Sequence, residues 1–127
     1  MKISVITVSL NSEKTIEKTI NSVLSQNYKN FEYIIVDGKS DDKTLDVINK
    51  YKNKIDLVIS EKDKGIFDAI NKGIQRSSGD IISIIHSDDS FYDDKVLETV
   101  NKNFIEKDNL ECLIGITLIK RKNSDNQ

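Results

Sequence analysis

His86-Ser87-Asp88-Asp89 is the stretch of this chain whose residue types most clearly suggest chemistry. Its two adjacent carboxylates follow an apolar run, Ile81-Ile82-Ser83-Ile84-Ile85, that reads as a buried strand. Acids placed there stand at the carboxyl edge of a sheet, where open α/β sheets bind ligands. Neighbouring carboxylates repel unless a cation lies between them. A divalent metal, Mn2+ or Mg2+, holding a diphosphate meets both conditions, which makes Asp88 and Asp89 candidate metal ligands with Ser87 beside them. An acidic turn leading into a helix is the competing reading, and the residue types leave both open. Asp93 and Asp94 fit that plainer role. His86 is the one histidine, and without a Cys/His cluster a phosphate-donor or packing role competes with ligation.

A second group is Ser9 and Asn11 with Asp37, all just past the ends of two apolar runs. If those runs are adjacent strands, their tips lie side by side. A carboxylate there can accept from a nucleobase N–H or a ribose hydroxyl. Turn capping by Asp37 and helix capping by Ser9 and Asn11 are the plainer alternatives. A third group spans Asp63 to Gly73. Lys64 precedes a helix start, near which phosphate oxygens can be received. Asp68, Asn71 and Lys72 share a helical face, which a solvated Asp–Lys pair would also explain. Gly73 in mid-helix costs about 1 kcal/mol relative to Ala and hints at a close backbone approach.

These residues need a scaffold, and the apolar periodicity supplies one. Ile3–Ser9, Phe31–Val36, Ile55–Ile59, Ile81–Ile85 and Leu110–Ile119 read as strands. Between them Ile16, Ile20, Val23 and Leu24, then Leu45, Ile48 and Tyr51, then Ile66, Ile70, Gly73 and Ile74 recur at helical spacing. Asn11 and Ser12 offer caps for the first helix, and Gly79 offers a C-terminal cap for the third. Asp93 and Asp94 open a fourth helix with Val96, Leu97, Val100 and Phe104 inward. Alternation of this kind predicts an α/β fold with a doubly wound, mainly parallel sheet and helices on both faces. Residues 1–120 are expected to form a single domain, followed by a polar tail over 121–127.

Length and charge narrow the classes. A chain of 127 residues suits one core. A net charge of −2 gives no general attraction to nucleic acid. Cys112 is the one cysteine, so no internal disulfide forms, and its apolar surroundings suggest a buried thiol. No leader-like segment opens the chain and no apolar run reaches the ~20 residues of a membrane helix, so a cytoplasmic location is expected, with the inner membrane face as an alternative. The dinucleotide glycine fingerprint, the P-loop and the nucleophile elbow are all missing.

Taken in order, Val5-Ile6-Thr7-Val8-Ser9-Leu10-Asn11, Ser22-Val23-Leu24-Ser25-Gln26, Ile34-Ile35-Val36-Asp37-Gly38-Lys39-Ser40, the Asp63–Gly73 segment, Ser78-Gly79-Asp80 and His86-Ser87-Asp88-Asp89 resemble a family 2 glycosyltransferase. The Lys64–Gly73 stretch is most similar to the bacterial branch that builds surface polysaccharides. The resemblance covers roughly residues 2–100. It implies a GT-A fold, a nucleotide-sugar donor (a UDP-sugar by the family's common habit) and a glycan or lipid-linked acceptor. It also implies that Val8–Asn11 cradle nucleobase and ribose, that Asp37 recognises the base, and that Asp88 is the last acid of the D-x-D metal motif. Lys64, Asn71 and Ser87 join the donor site in this reading.

Three positions depart from the family pattern: His86 replaces an Asp or Asn, Leu10 an aromatic residue, and Lys39 a glycine. Length departs further. Only 38 residues follow Asp89, whereas the family's catalytic base and acceptor site lie well beyond it, so no base is assigned. Two functions are therefore weighed, a metal-assisted glycosyltransferase and a truncated module that binds nucleotide-sugar without transfer. A signalling receiver domain fits the length but needs acids after other strands. A sheet edge left uncovered by a short chain also invites self-association, so a dimer or larger assembly is expected.

Overall fold

The structure is a computed structural model and describes residues 1–113. Four parallel strands form one sheet: β1 (Ile3–Ser9), β2 (Phe31–Asp37), β3 (Leu57–Ser60) and β4 (Ile81–Ile84), in the order β3-β2-β1-β4. Helices α1 (Ile16–Leu24), α2 (Thr44–Lys50), α3 (Ile66–Arg76) and α4 (Val96–Glu106) connect and cover them. The chain builds outward from β1 to β3, then crosses through α3 to lay β4 on the other side of β1. The order reverses between β1 and β4, the topological switch point at which doubly wound sheets open a crevice.

The two-residue period of the strands divides the core. Ile3, Val5, Tyr33 and Ile35 point to one face, against Ile16, Ile20 and Val23 of α1, Ile48 of α2 and Leu97 of α4. Ile6, Val8, Ile34 and Val36 point to the other, against Ala69 and Ile70 of α3. Thr7 and the Tyr33 hydroxyl, both buried, satisfy each other at 2.8 Å, and burial pushes the phenol's pKa up. Gly73 brings α3 down onto β1, since a Cβ there would stand 2.7 Å from Ile6 Cγ2. The mid-helix glycine thus marks the close approach expected of it.

Several expectations need correction. β4 is only half buried, with Ile82 and Ile84 about 40% exposed at 38% and 41%. Among the described residues no strand pairs with its outer edge, and α3 lies over its neighbours. Gly79 is not a helix cap. The helix ends at Arg76, and Gly79 passes so close to β1 that a Cβ would meet the Ser4 amide at 2.7 Å. Asp93 and Asp94 lie in a turn before α4, which begins at Val96. Of the expected fifth strand, residues 110–113 are not in a strand and the rest lie outside the described residues, as does the tail. Cys112 is exposed rather than buried.

Candidate functional site

A hollow of about 950 Å³ opens at the switch point. Residues 8–15 and 86–89 line it, and Asp42, Asp63, Gly65, Ile66 and Ala69 complete it. Its size falls in the range of small-ligand sites. The order of elements makes it: β1 and β4 end side by side, and the loops that follow them lead to α1 and α4 on the same face of the sheet.

The wall after β1 is stitched to the loop after β2. Asn11 adopts φ 48, a conformation asparagine tolerates, and its Oδ1 accepts the Asp41 amide at 3.0 Å. The Asn11 amide donates to Ser40 Oγ and the Ser12 amide to Thr44 Oγ1. The Glu13 amide reaches Asp42, and Glu13 in turn accepts the Lys43 amide. Burial pushes the Asp42 carboxyl up, but hydrogen bonds from the Thr44 hydroxyl and amide and from the Glu13 amide outweigh it and hold its pKa low. Asn11 and Ser12 therefore tie loops together, and α1 begins only at Ile16.

Asp37 sits behind this wall. It is fully buried, and both its oxygens are engaged: Oδ1 accepts from Ser9 Oγ (2.9 Å) and Ser40 Oγ (2.6 Å), Oδ2 from the Ser40 amide (2.8 Å) and Ser60 Oγ (3.3 Å). Three hydroxyls drawn from separate segments converge on it, and through one of them Asp37 anchors Ser9, which lines the hollow. Val8, Asn11, Ser87, Asp88 and Asp89 line it as well. Lys64 and Asn71 do not; both are exposed beside it. Lys72 pairs with Glu61 at 3.1 Å and Asp68 at 3.6 Å, the solvated-pair reading of that face. The Lys64 amide, more than Lys72, holds Asp68 below its ordinary pKa.

Asp63 is among the wall residues that had no role assigned from sequence, and Lys14 is another. Asp63 Oδ1 accepts the Gly65 amide at 3.0 Å, and its carboxylate packs against Gly38, where a Cβ would meet it at 2.8 Å. Gly65 takes φ 117 to turn the chain into α3. The acids in the lining are Glu13, Asp42, Asp63, Asp88 and Asp89, against Lys14 as the lysine. Such a lining repels a free anion and suits one that arrives with a cation.

The loop carrying Asp88 and Asp89 is held by its backbone. The Asp89 amide donates to His86 O at 3.0 Å, and the Ser87 and Ser12 hydroxyls pair at 2.6 Å. Thr19 Oγ1 on α1 donates to the carbonyls of both Ser87 (3.1 Å) and Asp89. The same side of α1 and the turn just after it continue the pattern: Ser22 Oγ accepts the Phe91 amide, and buried Gln26 donates to Asp93 O and accepts the Leu97 amide. Thr19, Ser22 and Gln26 recur at i, i+3 and i+7, a polar stripe legible in the sequence as spacing but not as a partner. Among the described residues neither Asp88 nor Asp89 enters an ion pair, and both are exposed at the hollow. No cluster of three or more metal-type side chains occurs among those residues, so an ion on this pair needs further oxygens from its ligand or from water.

A parallel sheet crossed by α3 with a hollow at its switch point is the nucleotide-binding half of a GT-A fold, and solved glycosyltransferases share it. The chain belongs to glycosyl transferase family 2, whose profile matches residues 4–126. It is 38% identical over 97 residues to TuaG of Bacillus subtilis, named for teichuronic acid biosynthesis, covering 74% of this chain and 38% of TuaG. S. aureus TarS in complex with UDP-GlcNAc superposes with a TM-score of 0.77 at 32% identity, over 84% of this chain and 32% of that one. Glucosyl-3-phosphoglycerate synthase from Mycobacterium tuberculosis, bound to Mn2+, UDP and phosphoglyceric acid, gives 0.68 at 25% identity, over 84% and 40%. The chain thus spans roughly a third to two fifths of the length of each. Among the described residues no helix is long and apolar enough to cross a membrane.

Proposed function

We propose that this chain forms the donor-binding part of a metal-assisted glycosyltransferase that passes a sugar from a nucleotide-sugar to a glycan or lipid-linked acceptor in bacterial surface-polysaccharide synthesis. The observation that carries the reading is the pair Asp88 and Asp89, presented at the switch-point hollow with no cationic side chain paired to either among the described residues. Their carboxylates suit a hard divalent ion, Mn2+ or Mg2+, that takes its remaining oxygens from a diphosphate. When bound, such an ion offsets charge on the departing nucleoside diphosphate. Val8, Ser9 and Asn11 form the wall against which nucleobase and ribose rest. Asp63 lines the same hollow and offers a further carboxylate to base or ribose.

The relatives support a UDP-sugar: TarS is seen with UDP-GlcNAc and the mycobacterial synthase with UDP and Mn2+. Action on the cytoplasmic side, at or away from the membrane face, and self-association along β4 belong to the same proposal. Calorimetric titration with UDP in Mn2+ and in excess EDTA tests it. Binding that needs the metal is the expected result. Equal binding in both conditions, or none in either, contradicts it.

A further inference from the structure

Resting on that metal reading, we infer that Thr19 is a positioning residue for the Asp88–Asp89 pair, acting from α1 through the loop backbone. Thr19 is 1% exposed and lies outside the hollow's lining, so it touches no ligand there. Its hydroxyl donates to the carbonyls of Ser87 and Asp89, the residues on either side of Asp88. One proton shared between two carbonyls sets their separation and so fixes the direction in which the intervening side chain leaves the backbone. The Ser12–Ser87 hydroxyl pair holds the same turn from the other side. Groups behind metal ligands orient them and tune the site, and losing one costs roughly 10–100-fold in metal affinity.

The experiment follows Mn2+ uptake by the 127-residue chain in the presence of UDP, read as loss of the free-ion electron paramagnetic resonance signal. Thr19→Val keeps shape and removes the donor; it should weaken Mn2+ binding roughly tenfold or more. Thr19→Ser keeps the donor and should stay close to the wild type. Thr7→Val serves as the control, since it removes a buried threonine hydroxyl of the same kind, one bonded to Tyr33 and not to the loop carbonyls. It should lower the unfolding midpoint while leaving Mn2+ affinity in place. If Thr19→Val binds Mn2+ as tightly as the wild type, or Thr7→Val loses as much, the positioning role is overturned and the nucleotide site stands. If the wild type takes up no Mn2+, the metal reading fails and this inference with it. Should Thr19→Val not fold, the wild type still decides the matter by proton nuclear magnetic resonance: a slowly exchanging Thr19 hydroxyl supports the contact, and its absence overturns it.

Discussion

Ser9 and Asp37 stand opposite each other in the register of β1 and β2, and the Ser9 hydroxyl donates to the buried carboxylate at 2.9 Å. That contact makes the carboxylate a brace between the two strand ends. It ties the floor of the hollow to the loop after β2, whose Ser40 also donates twice to the same carboxylate.

Asp37→Asn therefore acts first on stability. An amide NH2 would face hydroxyls or an amide that now donate, leaving a buried polar group unmatched. The expected loss is about 2–3 kcal/mol, measured by urea unfolding. Nucleotide affinity should fall less than it does on altering Asp88. A variant as stable as the wild type that had lost UDP binding outright would assign Asp37 to direct contact.

Lys39 takes φ 64, a left-handed conformation that L side chains adopt at a cost. Lys39→Gly should raise stability by up to about 1 kcal/mol, the strain relieved less the extra chain entropy of glycine. A lower urea midpoint would show that the lysine side chain makes a contact worth more than the strain.

Gly73→Ala should destabilise despite alanine's helix preference of about 1 kcal/mol, because overpacking costs about 1–3 kcal/mol. Its Cβ would collide with the Ile6 side chain at 2.7 Å. Combining it with Ile6→Ala should cost less than the two changes added separately, a coupling read from a double-mutant cycle. Simple additivity would place the collision elsewhere.

Acid should loosen the crossover from α3 to β4. Burial pushes the Glu32 carboxyl up, yet hydrogen bonds from Ser4 and from the Ser78 amide and hydroxyl, helped by Lys2, outweigh it and hold its pKa below the ordinary carboxylate value. With the folded value depressed, the stabilisation is fully present above the unfolded value and fades as pH falls through the folded one. Glu32→Gln should flatten the acid limb of a stability-against-pH curve below about pH 4.5 while lowering its neutral plateau. An unchanged acid limb would assign the acid sensitivity to other carboxylates.

Much of this architecture was legible in residue order. The β-branched runs marked all four described strands, and the i, i+4 stripes marked their helices, because burial alone dictates those patterns. The close approach at Gly73 was also signalled by a glycine where alanine would serve a free helix. What stayed hidden depended on distant partners. The brace at Asp37 forms where Ser9, Ser40 and Ser60 converge on it from three segments. Thr19 looked like an ordinary helix residue because the carbonyls it serves lie about seventy positions away. Ile82 and Ile84 read as buried because composition does not say whether a strand lies inside a sheet or at its rim.

The most direct test of the account is a crystal structure of the chain grown with UDP and MnCl2. The account predicts manganese density bridging the diphosphate and the Asp88–Asp89 carboxylates, with the nucleoside against Val8, Ser9 and Asn11. Nucleotide bound away from the β1–β4 junction, or manganese on the diphosphate with no contact to either aspartate, would contradict it.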